Sequence, residues 1–394
     1  KVLLINSVCG IRSTGRICTD IAEILTDNGH DCKIAYGRES VPDKYQKYAI
    51  RIGNEFGVRI HGAMSRVFDM SGFGSRRATL NFINWLQNYD PDIIHLHNLH
   101  GYYIDIETLF DYLSKANKPV VWTLHDCWAF TGHCTHFTVA KCNRWKNGCH
   151  NCPQKSEYPA SYILDRSKQN WERKKELFTG VNKMVLVTPS HWLADQVKES
   201  FLGCYPVEVI HNGIDTNIFK PIPSDFRQRY SLIGKKVVLG VASTWNERKG
   251  MDDFKKLSDM LDESYKIVLV GLTKEQIKKI PKNIVCIERT NSAKELAEIY
   301  TAADIFVTLS LEETMGLTTV EAMACGTPAV VYNSTANAEI AKIAGGVAVD
   351  CDLISIKKAV EKIKLGKDNS VFVSNLFNKE SQYSEYLILY NCCK

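Results

Sequence analysis

The chain has 394 residues, 45% hydrophobic and 24% charged, with 49 Lys and Arg against 44 Asp and Glu. That length exceeds what one core serves, so two lobes are expected, and the mixed composition excludes a disordered or fibrous chain. The formal charge of +5 lies wholly in residues 1–200, where 25 basic groups face 20 acidic ones.

No dense Lys/Arg run with interleaved aromatics supports nucleic-acid binding. The basic excess fits weak attraction to anionic head groups or phosphorylated acceptors, and equally an ordinary solvated surface. No apolar run approaches the roughly 18–20 residues of a membrane span and no secretory leader is recognisable, so a cytoplasmic protein is expected. Of the 14 cysteines, Cys9, Cys18, Cys32, Cys204, Cys286, Cys325 and Cys351 read as small buried hydrophobes inside apolar elements.

In chain order, Val2–Ile5 is a strand and Gly10-Ile11-Arg12-Ser13-Thr14-Gly15-Arg16 is a glycine loop joining it to a helix. Asp92–Leu96, Val120–Leu124, Val185–Val187 and Val207–Ile210 are further strands, each short and rich in β-branched residues. His95, His97, His100, Tyr102 and Tyr103 cluster at and after the second, and His125-Asp126 follows the third. A neutral imidazole there can hydrogen-bond a ligand hydroxyl and rings beside polar groups can line a binding face, although a His at a strand end is more often structural and the tyrosines serve packing as readily.

Cys134, Cys142, Cys149 and Cys152 sit in a loop, 127–153, without strand or helix periodicity. The C-x2-C spacing suits a closed structural zinc site, with His133, His136 and Cys127 in reserve; free thiols and disulfides are the alternatives. A loop with little core would gain most from such a staple. Lys220-Pro221-Ile222-Pro223 interrupts regular structure, placing the end of a first lobe near residue 218.

The second lobe alternates strands Val237–Val241, Ile267–Val270, Ile305–Leu309 and Ala329–Tyr332 with helical segments, again a parallel-sheet pattern. Arg248-Lys249-Gly250 follows the first of these. Lys249 is a suitable point charge for a departing diphosphate, if it is not merely solvated at a helix start. After Ile305–Leu309 comes Ser310–Pro328, where Gly316-Leu317-Thr318 opens a helix whose amides could hold a diphosphate. Glu313 and Glu321, seven residues between them, could bind the transferred sugar and the ribose, or act as a helix cap and a surface Glu. Finally, Tyr383, Tyr386, Leu387 and Tyr390 fall on one face of a helix that should dock on a core.

The 310–328 segment resembles the Glu-x7-Glu signature of the retaining glycosyltransferases of family 4, which have the GT-B fold. The likeness extends over Gly316, Ala322, Ala324, Gly326 and Pro328, and Pro189-Ser190, Asn212-Gly213-Ile214-Asp215 with Phe219, and Arg248-Lys249-Gly250 agree in order. It spans essentially the whole chain. One departure is Thr244, where the family usually carries an Arg.

The resemblance implies an α/β chain of two doubly wound Rossmann-like domains facing across a cleft. Residues 1–218 would bind acceptor, 219–375 would bind nucleotide-sugar, and 376–394 would form a helix returning to the first domain. His125, Glu313 and Lys249 would be catalytic. Gly15, Arg248, Lys249, Glu313, Met315, Gly316, Leu317, Thr318 and Glu321 would bind a UDP- or GDP-sugar, and Arg16, His97, His100, Tyr102 and Asp126 the acceptor.

The implied reaction needs no catalytic metal and retains anomeric configuration. Its acceptor would be a glycan or polyprenyl-linked glycan in bacterial surface-polysaccharide synthesis, with peripheral contact at the inner face of the plasma membrane. A sugar-nucleotide epimerase of the same fold is the alternative, although no convincing acid/base set for a sugar carbon is recognisable.

Overall fold

The computed structural model describes residues 1–364 and 369–393. It divides into two compact units, Lys1–His211 with Glu380–Lys394, and Asn212–Lys379. These boundaries differ from those expected at 218 and 375, and the reason is local. Ile214 N donates to Phe377 O at 2.8 Å and Lys379 N donates back to Ile214 O at 3.0 Å. A Cβ on Gly213 would stand 2.2 Å from Lys379 Cα. The 212–214 and 377–379 segments are thus bound to each other within the second unit, and Ile214, Phe219 and Phe377 join its core.

The first unit holds seven parallel strands: β1 (Val2–Asn6), β2 (Cys32–Tyr36), β3 (Ala49–Arg51), β4 (Ile93–Leu96), β5 (Val120–Thr123), β6 (Met184–Thr188) and β7 (Val207–Val209), in the order β3-β2-β1-β4-β5-β6-β7. The central strands β1, β4 and β5 are buried along their whole length, as a sheet covered on both faces requires. The strand order reverses between β1 and β4, and crevices at such points outside the carboxyl ends are where open α/β sheets bind ligands. His97 and His100 follow the end of β4, and His125 and Asp126 follow the end of its neighbour β5.

The helix Lys379–Cys393 completes this unit. Tyr383, Tyr386 and Tyr390 are buried in a cluster with Leu4, Ile17 and Cys18. Two of the hydroxyls reach the sheet: Tyr390 meets His95 Nδ1 at 2.6 Å and Tyr386 meets Thr123 Oγ1 at 2.9 Å. His95 is therefore sealed beneath the helix and not part of an open surface.

The second unit has six parallel strands: β8 (Lys236–Val241), β9 (Tyr265–Val270), β10 (Val285–Ile287), β11 (Ile305–Thr308), β12 (Ala329–Tyr332) and β13 (Val347–Val349), in the order β10-β9-β8-β11-β12-β13. Its switch point lies between β8 and β11. Among the seven cysteines expected inside, Cys9, Cys18, Cys32 and Cys325 are buried, but Cys204 and Cys351 are exposed and Cys286 is half-buried. Cys204 lies in the turn before β7 and Cys351 in the turn after β13, so neither occupies a packed face. Among the described residues no helix is long and apolar enough to cross a membrane.

Candidate active site

The second unit brings two separate turns together at its switch point. The connection leaving β8 ends in a 3-10 turn, Glu247–Lys249, whose cap Asn246 accepts from Lys249 N through Oδ1 at 3.0 Å. Lys249 is therefore not at a strand end but on this turn. Gly250 follows at φ +74°, and a Cβ there would lie 2.5 Å from Leu309 Cβ. Only glycine allows the turn to press so closely on the end of β11. Leu311 N donates to Arg248 O at 3.1 Å, fixing the register of the two loops.

In that register the Lys249 ammonium donates to Glu313 Oε1. Burial would push the Glu313 carboxyl up, but Lys249, by charge and hydrogen bond, together with Ser310 and Arg248, holds it below the usual carboxylate range. Glu313 is thus ionised. Arg248 turns elsewhere, lying 3.9 Å from the buried Glu312 carboxylate and donating to its carbonyl at 3.3 Å. Its likeness to a diphosphate ligand is weaker than that of Lys249 for this reason.

Gly316 then starts the helix Leu317–Ala324 at φ +88°, and a Cβ there would strike Asn337 Oδ1 at 2.7 Å. Leu317 and Thr318 are half-buried at the first turn, next to amides that have no partner within the helix. Met315 is different: it is 2% exposed, and its sulfur accepts from Asn212 N at 3.1 Å. Its side chain is therefore turned into the core and not towards the surface of the turn. One turn further along the helix, Glu321 accepts from the buried Tyr300 hydroxyl at 3.0 Å, which orients its carboxylate.

In the first unit, Gly10 N donates to Gly15 O at 3.0 Å, and a Cβ on Gly15 would meet Val8 at 3.0 Å. The loop after β1 is thereby closed tightly. Arg16 is exposed on the outer surface, its Nε donating to Arg12 O at 3.2 Å.

Around β4 and β5 a histidine network forms. His97 Nδ1 and His125 Nε2 are 2.9 Å apart with rings stacked at 5.2 Å. Burial holds the pKa of His97 well down and pulls that of His125 to about 4, so both are neutral near pH 7. His97 Nε2 is buried without a partner. Because an orphaned N–H is rarer than an under-used acceptor, we assign the His97 proton to Nδ1, which leaves the His125 proton on its own Nδ1.

His100 Nε2 meets Asp126 Oδ2 at 2.7 Å. Burial works against ionising Asp126, but His100 and the Trp128 amide bring it down to about 2. The far nitrogen of His100 meets the Tyr158 hydroxyl at 3.1 Å. Tyr158, 43% exposed, is a polar aromatic at this site that no spacing rule flags, since 58 residues separate it from His100. Tyr102, by contrast, is 6% exposed, with the guanidinium groups of Arg38 and Arg66 each within 6 Å of its ring. It is a core residue here and not an open acceptor platform.

The expected zinc site is not formed. Among the described residues no group of three or more His, Cys, Asp or Glu is disposed to hold a metal ion. Cys149 Sγ accepts from Gly132 N at 3.2 Å, Cys134 and Cys152 are free thiols hydrogen-bonded to each other, and His133 is drawn to Asp69 at 2.5 Å. The loop is also built into the main core of the first unit, which its lack of periodicity does not announce. Trp145 packs on Phe137 and Phe130 at centroid distances of 4.8 and 5.2 Å. Lys174, fully buried, holds it down by donating to the carbonyls of Trp128 and Thr131 at 2.8 and 3.0 Å.

Two family models cover the chain: one described as Glycosyltransferase Family 4 matches residues 14–218, and one described as Glycosyl transferases group 1 matches residues 224–385. The chain is 27% identical over 338 residues to the colanic acid biosynthesis glycosyl transferase WcaC of Escherichia coli (strain K12), spanning 84% of this chain and 80% of that one. Among solved structures it is similar to a sucrose-phosphate synthase from Thermosynechococcus elongatus, with a TM-score of 0.72, 16% identity and coverage of 99% and 98% of the two chains. It is also similar to HepE of Anabaena in complex with UDP and glucose, with a TM-score of 0.67, 15% identity and 99% coverage of both. The two-sheet architecture is the GT-B fold.

Proposed function

The chain belongs to glycosyltransferase family 4, and from that premise we propose that it moves a sugar from a nucleoside diphosphate carrier to a hydroxyl of a glycan or lipid-linked glycan, with retention at the anomeric carbon. The observation that carries the reading is the Lys249–Glu313 pair at the switch point of the second sheet, beside the helix start at Gly316.

Leaving-group departure places charge on the terminal phosphate. Lys249 meets that charge, and the first-turn amides of Leu317–Ala324 add the positive end of the helix dipole. Glu313, kept ionised, accepts from hydroxyls of the transferred sugar, and Glu321 accepts from the ribose. Arg248 contributes to the phosphates. The leaving phosphate oxygen takes the acceptor proton on the face from which it departs, so no side-chain base and no catalytic metal is required.

Acceptor recognition falls to the first unit, through His97, His100, His125 and Asp126, with Arg16 at the rim. The similarity, over 84% of this chain, to a transferase named for colanic acid biosynthesis supports a role in bacterial polysaccharide assembly; a polyprenyl-linked glycan is the acceptor class we propose to test first. HepE, solved with UDP and glucose, supports UDP-glucose as the first donor to test, ahead of GDP-sugars. No observation favours the epimerase alternative. A thermal-shift screen over UDP- and GDP-sugars tests the reading: one of them stabilises the protein and Glu321→Ala abolishes that shift. A shift that survives the substitution removes the ribose assignment.

A further inference from the structure

In the second unit, the segment 334–337 after β12 opens the helix Thr335–Ile343 and binds the turn that carries Glu313 and Gly316. Ser334 Oγ donates to Leu311 O at 2.7 Å. Glu313 N donates to Thr335 Oγ1 at 2.9 Å, and Ala336 N donates to Glu313 O at 3.2 Å. Thr319 Oγ1 donates to the buried Asn337 Oδ1 at 3.1 Å, and that oxygen stands 2.7 Å from where a Cβ on Gly316 would lie.

These contacts bear most closely on Glu313, whose amide and carbonyl are both taken by the dipeptide Thr335-Ala336. With both main-chain groups of one residue held, the direction of its Cα–Cβ bond is held too, and the carboxylate leaves this frame towards Lys249. Thr335 keeps its place against its own preference: its φ is +49°, in the left-handed region. A β-branched residue is an outlier there, and such conformations persist only where the surrounding structure over-determines them, which happens most often at functional sites. Glycine would relieve the backbone at this position but would offer Glu313 N no acceptor.

We infer that Thr335 is a positioning residue for the transfer reaction, its hydroxyl aiming the Glu313 carboxylate at the transferred sugar while Lys249 holds the same carboxylate from the other loop. The inference rests on the assignment of Glu313 to the donor sugar and adds a residue that acts on the donor only through Glu313. A misplacement of about 1 Å in a group that positions substrate can cost about 100-fold in rate, which is the scale on which a lost main-chain anchor matters. No motif marks Thr335, because 22 residues separate it from Glu313 and only the parallel order of β11 and β12 brings the two turns together.

Three variants of the whole protein separate the hydroxyl from the backbone. Thr335→Val keeps the branched shape and removes the acceptor, Thr335→Ser keeps the acceptor, and Thr335→Gly removes it while relieving φ. The probes are UDP-glucose and UDP, replaced by another nucleotide sugar and its parent nucleotide if the thermal-shift screen selects one. Titration calorimetry should show UDP-glucose bound about tenfold more weakly by Thr335→Val and Thr335→Gly, with UDP binding unchanged. UDP release from UDP-glucose, with water as the acceptor, should slow about 10- to 100-fold in both, and Thr335→Ser should restore it. In urea, Thr335→Gly should unfold at a higher midpoint than Thr335→Val, because only the glycine is free of the φ strain.

Function would then follow the hydroxyl while stability follows the backbone, a divergence that a merely structural threonine does not produce. Wild-type binding and rate in Thr335→Val overturn the role and leave the transferase reading standing. So do a loss of UDP binding as large as that of UDP-glucose and a rate that ranks the variants by their urea midpoints. If the wild-type protein responds to none of the UDP- and GDP-sugars, the transferase reading itself fails and this role falls with it.

Discussion

Lys249 and Glu313 are 64 residues apart in sequence, yet the Lys249 ammonium is hydrogen-bonded to the Glu313 carboxylate. The contact exists because Gly250 lets one loop lie against Leu309 at the end of β11, and because Arg248 and Leu311 pair their backbones. Both side chains keep about a fifth of their surface open, at 23% and 19%, so the pair remains accessible to a ligand.

Replacing Lys249 by Ala should lower kcat/KM by about 100- to 1000-fold, the range found when one group aimed at developing charge is removed. Because the pair is partly solvated, the melting temperature should move by only a few degrees. Initial rates and a circular-dichroism melt check both halves. An unchanged rate would exclude Lys249 from the chemistry.

Gly316→Ala should cost about 1–3 kcal/mol and remove nucleotide-sugar stabilisation, since it combines φ +88° with a clash on Asn337. Gly234→Ala supplies the control: φ is +79°, but nothing lies within 4 Å of its Cβ. That variant should lose only about 1–2 kcal/mol, with donor response intact. Urea unfolding of the two variants separates backbone strain from collision.

Acid should destabilise the first unit well above the carboxylate range. Burial lowers the pKa of His61 to about 4, against 6.5 unfolded, and does the same for His125, where Asp126 and His100 act in opposite directions. A His that resists protonation when folded contributes stability above its unfolded pKa and loses it as pH falls towards its folded one. Each therefore weakens the fold by up to about 3 kcal/mol between pH 6.5 and 4. Asp126, held at about 2, adds to this only below pH 3.8. Urea midpoints at pH 7 and pH 5 measure the loss; equal midpoints would contradict the buried neutral histidines.

Tyr390→Phe should destabilise by about 1–3 kcal/mol, because His95 Nδ1 would be left unpaired in the core. The nucleotide-sugar shift, which depends on the second unit, should persist. Differential scanning calorimetry with and without the stabilising nucleotide sugar reads both effects.

Much of this protein was legible before folding was considered. The buried strands β1, β4, β5, β11 and β12 announce themselves as short β-branched runs, and Gly316 with Glu313 and Glu321 marks a strand-to-helix turn. The edge strands β3, β10 and β13 have only three residues each and expose part of their surface, so they carry no comparable signal. The cysteine loop misled for a related reason: its aromatic cluster, Phe130, Phe137 and Trp145, is spaced irregularly and is assembled only in three dimensions.

The alternation of strands and helices, the family and the residues around each strand end can be read from the order of residues, because burial on both faces of a parallel sheet and glycine-dependent turns are local demands written in local order. The tertiary structure alone decided that Met315 and Tyr102 face inward, that Tyr158 joins His100, and that Tyr390 closes over His95 from 295 residues away. Those outcomes depend on hydrogen bonds and packing between distant segments, and no spacing along the chain encodes which buried polar atom will find which partner.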